Sequence, residues 1–305
     1  MNPLLFTHPC CLAHDTGAGH AESPQRLVAV LDALRMEFPA LAWHGAPAAL
    51  RPQLARVHHL SQIASVLDEP VQGIRWLDPD TAMSGGSAQA ALHAVGAGIA
   101  AVDAVMTGPA RRAFCAVRPP GHHATADIAM GFCLFNSIAV AAAHAIAVHG
   151  LERVAIADFD VHHGNGTQDI FAADPRVQYL SSHQVPLYPG TGAADEHGVG
   201  NIHNAPLPPR SGSAAFRAAW SGHLLPALDA FRPQLVLISA GFDAHRLDPL
   251  AQLEVEAADF GWITTQLRAL ADRHASGRLV SMLEGGYSME ALRACSVAHV
   301  GALLD

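Results

Sequence analysis

Short runs of apolar, β-branched residues alternate along the chain with longer stretches rich in Ala and Leu. Six of the short runs read as strands: LLFT (4–7), FCAV (114–117), RVAIA (153–157), VQYLS (177–181), LVLISA (235–240) and RLVSML (278–283). The stretches 24–37, 86–106, 136–149, 213–231, 256–275 and 288–304 read as helices. Alternation of this kind predicts an α/β protein, with a parallel β-sheet flanked by helices on both faces. Pro- and Gly-rich stretches at 118–131 and 185–212 read as long functional loops. No shift in composition marks a boundary, so residues 1–305 are expected to form one domain.

The ionisable residues are not spread evenly over this pattern. Run 114–117 leads into RPPGHH, 153–157 into DFDVHHGNG, 177–181 into SSHQ, 235–240 into GFDAH and 278–283 into EGGYS. Open α/β sheets bind ligands in the crevice beyond the carboxyl ends of their strands. Five segments far apart in sequence are therefore expected to meet in one crevice.

In extended chain, side chains alternate between faces, so Asp158, Asp160 and His162 point to one side. Asp243, arriving from another strand end, would complete a set of two carboxylates and one imidazole. Three protein ligands with an open position suit a catalytic zinc, and oxygen-rich sites also take Fe(II), Co(II) or Mn(II). His163 faces the other way and reads as structural. His122 and His123 follow Pro119, Pro120 and Gly121, a stiff loop that suits a pair of imidazoles for proton transfer near neutral pH. Tyr287 follows two glycines, which allow a close approach and an oxyanion-stabilising phenol.

Composition limits the partners. Half of the 305 residues are hydrophobic and 15% are charged, as in a compact enzyme-sized globule. A formal net charge of −9 disfavours nucleic-acid backbones, which need dense Lys and Arg. The five cysteines are odd in number and lack zinc-type spacing, which suits reduced thiols in a cytoplasmic protein. The start MNPLLFTHPCCLAHD lacks the basic region and long apolar run of a signal peptide. The most apolar stretch, SIAVAAAHAIAV, is too short to span a bilayer and reads as a buried helix. Neither a membrane nor a nucleic acid is expected as a partner.

Taken in order, RPPGHHA, GFCLFNSIAVAA, DFDVHHGNGTQDIF, LYPGTG, SAGFDAHRLDP and LEGGYS resemble the histone deacetylase / acetylpolyamine amidohydrolase family. They are most similar to its class II and bacterial branch, over about residues 14 to 300. The resemblance implies the three-layer arginase–deacetylase fold. It implies one zinc on Asp160, His162 and Asp243, with His123 as general base and then general acid. His122 would be its electrostatic neighbour. Asp158 would orient His122, Asn165 would orient His123, and Tyr287 would stabilise the transition state. A structural K⁺ is implied at the carbonyls of Asp158, Asp160, His162 and Ser182, with the Asp160 carboxylate and Ser181 hydroxyl, and a second alkali site near Phe171.

The resemblance also implies a substrate. Gly131 and Phe132 would form a wall of an acyl-lysine tunnel, with Gly285 among the substrate-lining positions. Leu250 stands where polyamine-preferring members carry Glu, which favours a neutral, lysine-like acyl substrate. Asp80, with Asp78 as the alternative, matches a rim aspartate. Segment 11–24 resembles the first loop of the bacterial branch and would border the mouth or make a subunit contact in a homo-oligomer. Its His20 and Glu22 read as solvated loop residues, with contact to substrate as the alternative for both and His20 the candidate substrate-binding residue. The activity implied is removal of acetyl or another acyl group from the side-chain amine of lysine in proteins or peptides. The alternative is an amidohydrolase of small acylated amines such as acetylpolyamines.

Overall fold

The computed structural model describes residues 2–304. The chain runs through β1 (Leu4–Thr7), a 3₁₀ turn (Pro9–Leu12), α1 (Pro24–Glu37), β2 (Trp43–Gly45), α2 (Arg51–Leu54), α3 (Leu60–Leu67), β3 (Arg75–Trp76) and β4 (Ala82–Met83). It continues with α4 (Ser87–Thr107), β5 (Arg112–Cys115), α5 (Ser137–His149), β6 (Val154–Asp158), α6 (Asn165–Phe171), β7 (Val177–Gln184) and β8 (Ile202–Leu207). It ends with α7 (Ser213–Ala219), α8 (Leu225–Phe231), β9 (Leu235–Ala240), α9 (Ala257–His274), β10 (Leu279–Leu283) and α10 (Met289–Leu303).

Local chemistry sets these boundaries. Helix α1 begins with Pro24, whose missing N–H costs nothing in the first turn, and buries Leu27, Val30, Leu31 and Leu34 on one face. Each such side chain contributes about 1.5–3 kcal/mol on burial. Asn136 caps α5 by accepting the N–H of Ala139, and Gly150 ends the helix in the left-handed conformation. Ser288 caps α10 in the same way through Ala291.

Eight strands form one sheet in the order β2-β1-β5-β10-β9-β6-β7-β8, and β3 and β4 form a separate hairpin. Every pairing in the large sheet is parallel. Helices α4 and α5 pack together on β5, β10, β6 and β9, while α1, α10 and α9 form a second packed group against β5 and β9. The outcome is the three-layer α/β arrangement expected from the alternation of runs. Because all strands run one way, all their carboxyl ends open on one edge.

Two details differ from the sequence reading. Stretch 185–212 is not all loop: it contains edge strand β8, which tolerates Pro206 because an edge needs pairing on one side only. Stretch 213–231 is two helices joined by a π-helical turn at Trp220–Leu224. Helix α5 is short, apolar and buried, as its sequence suggested; among the described residues α4 is the one helix long and apolar enough to cross a bilayer, and most of it is buried inside the fold.

Candidate active site

Strands β5, β10, β9 and β6 are neighbours in the sheet, and the loops after their carboxyl ends carry the candidate residues. Asp158 is the last residue of β6, with Asp160 and His162 just beyond it. Asp243 follows β9, Tyr287 follows β10, and the His122–His123 pair follows β5.

Asp160, His162 and Asp243 are buried together, with their ligand-capable atoms all within 4.8 Å of one another. Asp160 Oδ1 accepts the His162 N–H at 2.9 Å and lies 3.0 Å from His162 Nδ1. Asp160 Oδ2 accepts the Gly285 N–H at 2.8 Å, and Asp243 Oδ1 accepts the Val161 N–H at 2.8 Å. Asp243 Oδ2 lies 3.3 Å from His162 Nδ1 yet is buried without a hydrogen bond. Burial, followed by the charge of Asp160, pushes the Asp243 carboxyl up. Burial alone would lower His162, but the two carboxylates hold its ring protonated up to about 10.

The cluster thus demands positive charge. Two carboxylates and one imidazole, with one oxygen lone pair left over, fit a divalent cation. A Cβ on Gly285 would lie 1.9 Å from Asp243 Oδ2, and one on Gly241 would lie 2.0 Å from Asp160 Oδ2. Only glycine leaves room for these carboxylates.

Two other groups contain metal-ligating residue types. His144 Nε2 and His149 Nε2 both reach Asp103 Oδ1 at 2.7 Å. Arg56 donates to His144 Nδ1, so that ring carries its proton on Nε2 and donates it to Asp103. His8 and His93 stack face to face, with centroids 3.5 Å apart and planes 2° apart, near Cys10. Parallel rings send their lone pairs side by side, which does not converge them on one ion.

The two imidazoles of the dyad have different supports. His122 Nδ1 lies 3.0 Å from Asp158 Oδ2, which also accepts the Tyr179 hydroxyl at 3.0 Å. Burial disfavours its charge, but Asp158 and Asp160 outweigh that and raise it to about 10. His123 Nδ1 donates to Asn165 Oδ1 at 2.8 Å. Burial, then the neighbouring His122 and His162, push His123 well below the ordinary 6.5. Its Nε2 is therefore a free lone pair. His163 donates Nε2–H to Gln168 Oε1 and accepts from Thr191 at Nδ1, away from the cluster.

A cavity of about 180 Å³ leads to these groups, lined by Asp80, His123, Gly131, Phe132, His162, Tyr188, Leu250 and Tyr287. Phe132 meets the Tyr287 ring edge-on at 5.8 Å, and Tyr188 meets His123 at 5.1 Å. Burial holds the Tyr287 phenol well above 10, so it stays a donor. Asp78 Oδ1 accepts the N–H groups of Asp80 and Thr81, which makes Asp78 the turn residue and leaves Asp80 at the cavity. Gly285 sits against the Asp160 and Asp243 carboxylates, not in the cavity wall. His20 lies outside that wall, edge-on to Phe132 and bonded to the Asp80 carbonyl.

Ser181 pairs in register with Asp158, and Ser182 accepts the Trp220 indole N–H at 3.0 Å. His183 Nε2–H donates to the Gly192 carbonyl, so its Nδ1 takes the Ser181 hydroxyl proton at 2.9 Å. Near Phe171, the carbonyls of Phe171, Asp174 and Val177 converge on the Asn201 side-chain amide.

Sequence reasoning missed several residues here. Glu22 is not solvated: it is fully buried and bonded to Arg26 and Arg118, with His14 Nε2 at 3.3 Å. Arg26 in turn lies 4.8 Å over the Tyr287 ring and donates to the Gly286 carbonyl at 2.5 Å. Asp248 accepts the N–H groups of both Tyr287 (2.7 Å) and Leu250 (3.0 Å). Tyr188 was visible in LYPGTG as an aromatic in a rigid loop, a usable signal for a wall residue.

Residues 20–303 match the histone deacetylase domain family. A histone deacetylase-like amidohydrolase of Pseudomonas aeruginosa is 43% identical over 296 residues, which cover 94% of this chain and 77% of the relative. A probable deacetylase of Archaeoglobus fulgidus is 37% identical over 295 residues, 94% of this chain and 81% of the relative. The crystal structure of the HDA15 HD domain is similar with a TM-score of 0.94 and 36% identity, over 99% of this chain and 88% of that one. With the motifs, the sheet and these relatives in agreement, the chain belongs to the histone deacetylase family of hydrolases.

Proposed function

We propose that the protein is a zinc-dependent hydrolase that removes acetyl or another acyl group from the side-chain amine of lysine in proteins or peptides. The observation that carries this reading is the cavity of about 180 Å³ that sets Phe132, Tyr188 and Leu250 in one lining with His123, His162 and Tyr287. The apolar part of that lining suits the methylene chain of lysine, and the polar part suits the amide. Relatives named deacetylases and an amidohydrolase support the reaction class.

Asp160, His162 and Asp243 would hold the zinc. When bound, zinc supplies Lewis-acid polarisation of an amide carbonyl and a more acidic water. His123 Nε2 accepts the proton of the attacking water, and Asn165 keeps that lone pair aimed by holding Nδ1–H. His122, charged beside Asp158, steadies the negative charge that develops. The Tyr287 O–H donates to the carbonyl oxygen as it becomes an oxyanion. His123 then returns its proton to the leaving nitrogen. The balance is one amide and one water to one carboxylate and one amine.

A K⁺ among Asp158, Asp160, His162, Ser181 and Ser182 belongs to the same proposal, supported by Ser181 standing in register beside Asp158. Among the cavity-lining residues Asp80 is the one carboxylate, and Leu250 offers nothing to a polyamine's second charge. Hydrolysis rates on acyl-lysine peptides beside acetylspermidine and acetylputrescine test the assignment. Faster turnover of the peptides is expected, and a tenfold preference for the acetylpolyamines overturns it.

A further inference from the structure

One group in the motif LEGGYS has no task in that reaction, yet its bonds reach the reacting residues. Glu284 is fully buried at the end of β10. Its Oε2 accepts the backbone N–H of Gly121 at 2.6 Å and that of His122 at 3.2 Å. Its Oε1 lies 3.4 Å from the Ser239 hydroxyl, which donates to it. Its backbone N–H donates to the Ala240 carbonyl at 3.0 Å, and its own carbonyl accepts Arg26 Nη2–H at 2.5 Å. One residue therefore ties the dyad loop to the tip of β9 and to the Arg26 that covers Tyr287.

The dyad loop has little freedom besides. A Cβ on Gly121 would lie 2.7 Å from Ser137 N, so the loop already touches the start of α5. Buried backbone donors need acceptors, and the acceptor here is a side chain that leaves the end of β10 and so links the loop to that strand.

We propose that Glu284 is a positioning residue that holds His122 and His123 at the reacting centre through the N–H groups of Gly121 and His122. It acts by the reach of its acceptor oxygen and not by its charge. The inference rests on the hydrolytic reading above.

Two substitutions separate reach from charge. Glu284→Gln keeps an oxygen where Oε2 stands and turns its NH₂ toward Ser239, whose hydroxyl can accept. Glu284→Asp keeps the charge and withdraws the oxygens by one methylene. Glu284→Asp is expected to lose about a hundredfold in kcat with KM little changed, the scale of a small misplacement of reacting groups. Glu284→Gln is expected to retain kcat within about threefold. In the metal-free protein, the imidazole NMR signals of His122 and His123 should move in Glu284→Asp and stay in place in Glu284→Gln.

A Gln variant as impaired as the Asp variant overturns the proposal, as does an Asp variant with wild-type kcat and unmoved signals. If Glu284→Asp does not fold, Glu284→Gln decides alone, and a loss beyond tenfold overturns it. A wild-type protein that hydrolyses no acyl amide refutes the proposed function, while the NMR comparison still decides the role of Glu284.

Discussion

Asn165 faces His123 where Asp158 faces the adjacent His122: a neutral amide oxygen lies 2.8 Å from one imidazole, and a carboxylate oxygen lies 3.0 Å from the other. Asn165 also turns its NH₂ to the His123 carbonyl, so it grips the residue at ring and backbone. Replacing Asn165 by Ala frees the ring and should lower kcat about tenfold, less than the roughly 100-fold or more that a general base itself contributes. Steady-state kinetics check this, with Asn165→Asp expected to recover part of the loss because it again offers an acceptor to Nδ1.

Metal binding is expected to depend on Asp160 and Asp243. Asp160→Ala and Asp243→Ala should each lose zinc, read by metal analysis of the purified protein. Chelation of the wild type should lower its melting temperature, since a ligand present at a thousand times its Kd stabilises the fold by about 4 kcal/mol. Undiminished zinc in either variant removes that residue from the site.

Tyr287→Phe keeps the ring beneath Arg26 and against Phe132 and removes only the donor. Loss of one such donor typically costs about 100- to 1,000-fold in kcat. Zinc content should stay the same. An undiminished rate refutes the oxyanion role.

Leu250→Glu puts a carboxylate in the cavity wall. It should raise kcat/KM for acetylspermidine relative to an acetyl-lysine peptide, by about tenfold for one added ion pair of about 1.4 kcal/mol. Competition between the two substrates in one reaction gives the ratio directly.

Glu22 sets an acid limit on stability. Burial by itself would raise its carboxyl, but Arg118, His14 and Arg26 hold it well below the free value of 4.5. Its contribution is therefore complete above about pH 4.5 and is lost as pH falls through its depressed folded value. Glu22→Gln should destabilise by about 3–5 kcal/mol near neutrality, the cost of breaking a buried pair. Denaturant melts of both proteins from pH 7 down to pH 3 should show that gap shrinking below pH 4.5.

The central strands and the cluster at their ends were legible because each relies on neighbours in sequence. A strand buried on both faces is a mainly apolar run, and Asp158 closes one such run with Asp160 and His162 directly beyond it. Edge strands β2 and β8 were not legible. Half-exposed edges tolerate His44, His203 and Pro206, which read as loop. The buried role of Glu22 was hidden for a different reason. Its partner Arg118 lies 96 residues away, and nothing local marks a charge that will be neutralised from afar. Glu284 and Asp248 bond to backbone N–H groups, which carry no sequence signature at all.

The first loop shows what that hidden anchoring permits. Arg118 donates to the carbonyls of Cys11 and His14, His14 bonds Ser87, and Glu22 closes the far end. Between these anchors, Gly17 and Gly19 turn with positive φ and Ala18 and Gly19 stand exposed, close to Ile74 and Trp76. The ends of the loop belong to the catalytic scaffold and the arch does not. The bonds to Arg118, Ser87 and Glu22 all lie outside residues 17–19, so sequence inserted beside Ala18 is expected to leave that scaffold in place: the arch is a natural place to graft a new function.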